Sequence, residues 1–526
     1  MAIIPFHPLQ IIAGLIASWI VFVISRWIYR LSPLHPLAKF PTPSRWACIS
    51  EWYHFYWNAI RDGQLVIKCE EWHKELGPII RIGPNELHIN DPSFYTTIYC
   101  NNYKFPVNTP NYDWQGPVDM NMGNPSVTAH RARRGLVSPF LSKASIQKLD
   151  KNIMKHVNNF VEIISPTPKI FNKDKTIDDC ERLKTEVVIN PGDGVNVTRL
   201  LRRLTGDVIS EYGYSESFEL LSSDRNIWFI QPIADSLEVL NYLQFAWPVT
   251  YAMSAIPNFL LKTVVPREFR GFAELEWTLG EQIDGFLQDP HKAKAKTTHK
   301  TIFETLVEGD SAIKLSKRAL VGDSMVLIGA GTETTATTVA EAMYRACIYP
   351  ELQTRLHEEL VKVFPSKTDE ITLAKAEKIQ YIIAFLKETL RIASPIPGRI
   401  ARQTPVEGVM CQGKFLPGRT VVSMSAHLMH MNADIYPDPH KFDPERWMNS
   451  DPASLQEKYF VPFSKGSRGC IGMNLAWAEM ITAMAATFRR YRLSLHPDNQ
   501  RTEEWRDRIA RFVIGDFLAT AEEYDS

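Results

Sequence analysis

The stretch Phe463-Ser464-Lys465-Gly466-Ser467-Arg468-Gly469-Cys470-Ile471-Gly472 sets one cysteine in a glycine-rich loop, with an arginine two positions ahead of it. A thiolate that serves as a ligand needs shelter from water and hydrogen-bond donors aimed at its sulfur. Glycines let backbone N–H groups approach closely, with no side chain in the way. Leu475-Ala476-Trp477-Ala478-Glu479-Met480 then reads as the beginning of a helix, whose N-terminal dipole favours a negative sulfur. For Cys470 alone, a buried free thiol in a tight turn would be the plain alternative.

Three further groupings carry chemistry. Ala330-Gly331-Thr332-Glu333-Thr334-Thr335 lies inside a long helical pattern, where a glycine and a threonine hydroxyl can open the i→i−4 ladder and make room beside it. A helix-packing seam of small polar residues is the alternative there. His130-Arg131-Ala132-Arg133-Arg134 puts His130 and Arg134 on one helix face, able to reach a common anion; a solvated basic face is the alternative. Glu388 and Arg391 form an i,i+3 pair, a weak signal alone because Glu503 and Arg506 repeat the spacing. Gly329-Ala330-Gly331 only imitates a dinucleotide turn, since Thr334 stands where the third glycine belongs. His427, His430 and His440 lack ligand spacing in an Asp/Pro-rich setting and read as surface residues.

The elements that must position these groups follow from periodicity and punctuation. Leu9 to Tyr29 is almost wholly apolar, about one hydrocarbon thickness (roughly 30 Å) as a helix. No Lys or Arg precedes Arg26, and no small-residue exit follows, which argues against a cleaved signal peptide. Arg26, Arg30, Lys39 and Arg45 lie on the C-terminal side and place the body in the cytosol. Pro33, Pro36, Pro41 and Pro43 imply an extended hinge. The organisation is therefore a short lumenal N-terminus over 1–8, an anchor over 9–29, a hinge over 30–45 and one catalytic domain over 46–526. Ile79 to Ile89 reads as a hairpin turning at Gly83-Pro84-Asn85, Leu315 to Cys347 as a helix capped by Ser316, and Glu377 to Ala393 as another helix. Thr420 to Met424 reads as a strand, and Ser165 to Gly194 as a surface insertion. Lys+Arg and Asp+Glu both number 59, so nothing points to nucleic acid. Seven scattered cysteines with no C-x-x-C pair argue against a disulfide framework or zinc ribbon and suit a reducing compartment, which makes the sequon at Asn196 an accident.

The cysteine loop matches F-x-x-G-x-R-x-C-x-G at every fixed position, and Phe442-Asp443-Pro444-Glu445-Arg446-Trp447 precedes it in the expected order. With the Ala330–Thr335 segment, this resembles the cytochrome P-450 superfamily. The resemblance runs from the anchor to at least Met480. It implies a mainly α fold with a minor β region, preceded by one transmembrane helix. It implies heme b (iron protoporphyrin IX) with Cys470 as axial metal ligand in the loop opened by Phe463. Arg468, Arg402, Arg134 and His130 would face the propionates. Thr334 would give a hydrogen bond to bound oxygen, and Glu333 would help relay protons. Arg446 would join Glu388 and Arg391 in a buried ionic triad. The implied activity is monooxygenation with O2 and electrons from NADPH-cytochrome P-450 reductase, because the chain has no flavin or nicotinamide site of its own. The implied location is the endoplasmic reticulum membrane. The pocket would be lined by Asn108–Asn124, roughly Trp228–Phe259, and Ile396–Ile400. The sequence looks like fungal secondary-metabolism members, which implies a hydrophobic terpenoid or polyketide intermediate. A haem-thiolate isomerase or dehydratase needing no reductase, and a non-catalytic haem-binding membrane protein, stay open.

Overall fold

The computed structural model describes residues 8–108, 119–166, 194–214, 217–222, 241–242, 244–245, 251–253, 255–288, 301–308 and 314–525. Most of the expected insertion at Ser165–Gly194, and most of the expected pocket segments Asn108–Asn124 and Trp228–Phe259, lie outside these residues. The rest is mainly helical with small sheets, as expected. The helices that bear on the site are α1 (Pro8–Leu31), α2 (Leu65–Leu76), α3 (Val127–Val137), α4 (Asp150–Ile163), α5 (Val197–Tyr214), α6 (Arg267–Gln288), α7 (Lys317–Ile348), α8 (Gln380–Ala393), α9 (Ala426–His430) and α10 (Met473–Arg490). The strands that bear on the site are β1 (Ile79–Gly83), β2 (Glu86–Ile89), β3 (Val195–Asn196), β4 (Arg402–Gln403), β5 (Val421–Ser423), β6 (Tyr491–Leu495), β7 (Trp505–Arg508), β8 (Ala510–Val513) and β9 (Leu518–Glu523).

Helix α1 carries the apolar N-terminal run. Most of its described side chains are exposed, and Ile12–Leu31 is long and apolar enough to cross a membrane. The proline-rich segment that follows is not the extended strut expected. Backbone bonds His35→Ser32, Ala38→His35 and Phe40→Leu37 fold it into turns, because Leu37 and Phe40 bury themselves in the body at 1% and 3% exposure. Arg81 of β1 makes the junction firm. Buried at 2% exposure, it donates to the carbonyls of Arg30 (3.1 Å), Cys48 (3.4 Å), Gly83 (3.4 Å) and Pro84 (2.8 Å), so backbone oxygens supply the partners a buried guanidinium needs.

The hairpin β1–β2 pairs Ile79 with Ile89 and Gly83 with Glu86. β2 runs parallel to β5, and β5 pairs antiparallel with β4, aligning Arg402 with Val422. A second sheet has the order β3-β9-β6, and β7–β8 form a hairpin. The centre of the fold is α7. Ser316 caps it by accepting from Ala319 N at 3.2 Å, as its position predicts. A helix passing through a core is buried all round, and α7 largely is, packed by α5, α6, α8 and α10 and their neighbours. Its less buried residues include Val326, Leu327, Ala330, Gly331 and Thr334, which fall on one stripe at i, i+1, i+4, i+5 and i+8.

The helix expected over Glu377–Ala393 begins at Gln380, after a separate turn at Leu373–Ala376. It ends at Ser394, which takes a left-handed φ of 39° before Pro395. Near that end Glu388 and Arg391, both 0% exposed, form two bonds of 2.8 and 2.9 Å. Arg446 donates to Glu388 at 3.0 Å, so the expected triad is complete; Trp447 Nε1 (2.8 Å) and Asp443 N (2.9 Å) add to it. Arg391 also donates to the carbonyls of His430, Pro439 and Lys441. The first of these contacts leads to a correction in the reading of the histidines. His430 is fully buried, with Nδ1 2.9 Å from Ser394 Oγ and Nε2 accepting from Val461 N at 3.0 Å; burial lowers it to about 3. His427 is buried too, beside Glu70 at 3.6 Å, and only His440 is exposed. The Asp/Pro-rich chain that suggested a surface begins only after α9 has packed inward.

Replacing Glu388 by alanine leaves Arg391 buried without its carboxylate. The expected loss is about 3–5 kcal/mol of stability, or failure to fold, read from urea unfolding midpoints. Arg446→Ala should cost less, because Arg391 and Trp447 still satisfy Glu388.

Candidate functional site

The cysteine loop is shaped by what it presses against. Cys470 N donates to Phe463 O at 2.8 Å and Gly469 N to Gly466 O at 3.0 Å, closing the loop on itself. Gly466 has φ +78°, and a Cβ there would sit 2.5 Å from the carbonyl oxygens of Tyr99 and Cys100, so only glycine fits. Ser467 N fastens the loop to Cys100 O at 3.2 Å. Cys470 thus stands just before α10, with the backbone N–H groups of Gly472 and Met473 directed at its sulfur. Burial pushes its thiol up; those two donors and the Arg134 guanidinium pull it back toward the anion.

Its sulfur opens on a cavity of about 500 Å³. His130, Arg134, Arg402 and Arg468 line the same cavity, as do Phe463 and Thr334. His130 and Arg134 share the inward face of α3, which Ser126 caps; Arg133 turns the other way and pins the helix to Asp323 of α7 at 3.0 Å. So α3 is not a solvated basic face. Burial first, then the cations Arg468, Arg134, Arg402 and Arg133, lower His130 to about 4. Arg468 donates to Met122 O (3.2 Å) and Asn124 O (2.7 Å). Arg402 lies 5.5 Å from the Tyr99 ring centre.

Thr334 closes the wall opposite with Ala330 and Gly331. Its hydroxyl donates to Ala330 O at 2.8 Å, and α7 stays helical throughout, without the local opening the sequence suggested. Glu333 does not line the cavity. It is buried on another face of α7, in a two-pronged pair with Arg202 of α5 at 2.6 and 2.7 Å. Of the eight residues singled out from sequence, seven converge and Glu333 stands apart.

The cytochrome P450 family profile matches residues 43–511. Among curated proteins, the chain is 29% identical to the cytochrome P450 monooxygenase macH of Penicillium terrestre, over 99% of both chains. It is 30% identical to the tryptophan 6-hydroxylase fscE of Fusarium equiseti over 91% of this chain and 90% of that one. It is also 30% identical to the conidiogenone synthase PchP450 of Penicillium rubens, over 90% and 91%. The chain belongs to the cytochrome P450 family. The fold of this P450 is also that of the crystallised P450DA heme domain, with a TM-score of 0.70 at 17% identity over 92% of this chain and 98% of that one.

The protein is thus a P450 monooxygenase, and the family's cofactor is haem with a thiolate ligand. The donor set of the cavity suits that cofactor: one sulfur with N–H donors behind it, and a wall of three arginines and a histidine for two propionates.

Sequence reasoning missed Glu479. It sits in the apolar run of α10, 2% exposed and on the cavity wall, with Oε1 unpartnered among the described residues. Burial raises its carboxyl well above the ordinary range, against a hydrogen bond from Thr335. A lone acid among apolar helix residues was the available signal. With its folded-state affinity for a proton raised, the folded form holds more protons than the unfolded one above the usual carboxyl range, so Glu479 costs stability as pH rises. Glu479→Gln is therefore expected to be the more stable protein at pH 7–8, with the difference vanishing below about pH 4. Urea midpoints measured across pH check this.

Proposed function

We propose that this P450 monooxygenase oxygenates a hydrophobic natural-product intermediate, terpenoid or polyketide, in a fungal secondary-metabolite pathway. The convergence of the Cys470 sulfur, a cationic wall and the open stripe of α7 on one cavity carries the reading. Cys470 would be the axial ligand, presented by the loop from Phe463, with Arg468, Arg402, Arg134 and His130 facing the propionates. The bound haem supplies the reductive cleavage of dioxygen, which a thiolate ligand favours. The overall change is R–H + O2 + NADPH + H+ → R–OH + H2O + NADP+, with the electrons delivered by a separate NADPH-cytochrome P450 reductase. Thr334 Oγ1 holds a proton at the cavity wall and hands it inward by turning from Ala330 O. Glu333 serves resupply from the α5 side by exchanging Arg202 for water. Val326, Leu327 and Ile400 make the cavity largely apolar, which favours a hydrophobic substrate. The apolar span of α1 and the basic residues after it fit an anchor in the endoplasmic reticulum membrane with the body in the cytosol.

Cys470→Ser should abolish the thiolate-type Soret band of the ferrous carbon-monoxide complex, and a band that persists would refute the ligand assignment. Thr334→Ala should keep that band and continue to consume NADPH while product per NADPH falls several-fold. Both are read in microsomes containing the reductase and candidate terpenoid or polyketide intermediates.

A further inference from the structure

The cavity also has a polar wall, drawn from residues outside the Cys470 loop, α3 and α7. Asn58, His88 of β2, Asn241, Arg399 and Asp507 of β7 all line it. Two of them are joined directly. Asn241 Nδ2 donates to Asp507 O at 2.9 Å, and the Asp507 carboxyl lies so close to Gly398 that a Cβ there would be 2.3 Å from Oδ2.

Which hydrogen-bonding character this wall shows a ligand follows from a chain of partners. His73 of α2 has Nδ1 2.8 Å from the Gly77 carbonyl, which can only accept, so Nδ1 carries the proton. Burial lowers His73 to about 4, so the ring is neutral and its Nε2 is bare. That nitrogen lies 2.7 Å from His88 Nδ1, which must therefore donate to it. Burial, with His73, Arg399 and His54 nearby, lowers His88 well below its ordinary value, so it too is neutral. Its single proton is committed to Nδ1, and Nε2 is left as a lone pair.

The neighbouring donor, Arg399, makes no hydrogen bond to His88 among the described residues: its Nη2 lies 3.2 Å from His54 Nδ1, and its Nε lies 3.2 Å from the Glu86 carboxylate without hydrogen-bond alignment. His54 is itself spent, since its Nε2 gives its proton to Ile82 O at 2.8 Å. Asp507 adds acceptor character. Burial pushes it up to about 6 against the pull of Arg399 and the Ile509 N–H, which leaves it mostly ionised at neutral pH.

We infer that His88, held in one tautomer by His73 and Gly77, is a specificity-determining hydrogen-bond acceptor, and that the substrate carries a hydroxyl or N–H group before this enzyme acts on it. This rests on the cavity being the substrate site of the oxygenase, and it narrows the substrate to an apolar skeleton with one donor group. The step that supplies the substrate must then leave a free hydroxyl or amine on the skeleton, not a ketone or ether alone.

The test uses the full-length holoprotein in its ferrous carbon-monoxide form. In ¹⁵N-histidine NMR, with the His88 signal assigned by its loss in His88→Phe or, where that variant does not fold, His88→Gln, the expected spectrum shows a protonated Nδ1 and a bare Nε2. A protonated Nε2 overturns the proposal. Equilibrium dialysis of trans-2-decalol and trans-2-decalone is expected to show the alcohol bound about five-fold more tightly, the yield of one net hydrogen bond. That preference should vanish in the His88 variant. In His73→Phe, where His88 is free to place its proton on Nε2, the ketone should gain. Equal binding of the two probes by the unaltered protein, including none by either, overturns the proposal, as does a preference that survives loss of His88. None of these readings depends on turnover, whereas loss of the oxygenase reading itself would appear as a missing thiolate Soret band.

Discussion

An anion inside a protein must be given back what water supplied, and the Cys470 sulfur is the case on which this structure turns. Its loop passes close to the Tyr99 and Cys100 carbonyls at Gly466, and this close approach places the sulfur at the start of α10 with two backbone N–H groups behind it. Preorganised dipoles do this more cheaply than a side-chain cation, which would need ordering and desolvation of its own. Arg134 adds a full charge across the cavity without touching the sulfur's backbone donors. A thiol in the same apolar position without these donors would resist ionisation, as Cys69 does, where burial alone dominates and pushes the group far up.

The same accounting explains why charges in the body occur in closed sets. Arg391 is fully buried yet meets Glu388 twice and three carbonyls besides. Glu341 of α7, also buried, is held low at about 2 by Arg501 and Arg345, which outweigh its burial. Arg81 uses only backbone oxygens. Glu479 differs: it has the Thr335 hydroxyl and no ion pair among the described residues, and burial raises its carboxyl well above the ordinary range.

Sequence could show the cysteine loop, the triad and the inward pair His130–Arg134, because each is written in local spacing: a glycine pattern, an i,i+3 pair with its distant arginine in order, and an i,i+4 pair. Helix α7 and the Ile79–Ile89 hairpin were legible for the same reason, from a cap and a turn. What spacing cannot carry is the direction of a side chain in its tertiary setting. His430 looked like a surface residue because the chain after it is polar, yet Ser394 and Val461, far away in sequence, claim both ring nitrogens. The prolines after Arg30 suggested extension, and Leu37 and Phe40 overrode them by burial. The His73–His88 couple spans α2 and β2 and had no sequence signature at all.

The segment Ala330–Thr335 shows why two readings of one motif can both hold. On one side of α7, α5 approaches with Arg202, Thr205 and Ile209, residues three and four apart that share a face. Ile209 packs so near Gly331 that a Cβ there would lie 3.2 Å from its Cγ1, Thr205 donates to Thr332 O at 2.9 Å, and Arg202 grips Glu333. This is a packing seam, and it needs the small residue. Gly331 lies at the border and lines the cavity as well, and Ala330 and Thr334 face the cavity. The motif is therefore divided by face: the seam fixes how α7 lies over the sulfur, and the cavity side supplies the hydroxyl. A change at Gly331 or Arg202 would act on the chemistry by shifting the helix, although Arg202 never reaches the cavity wall. Position and reactivity are set by alternate residues of a single turn, so neither can be altered without some effect on the other.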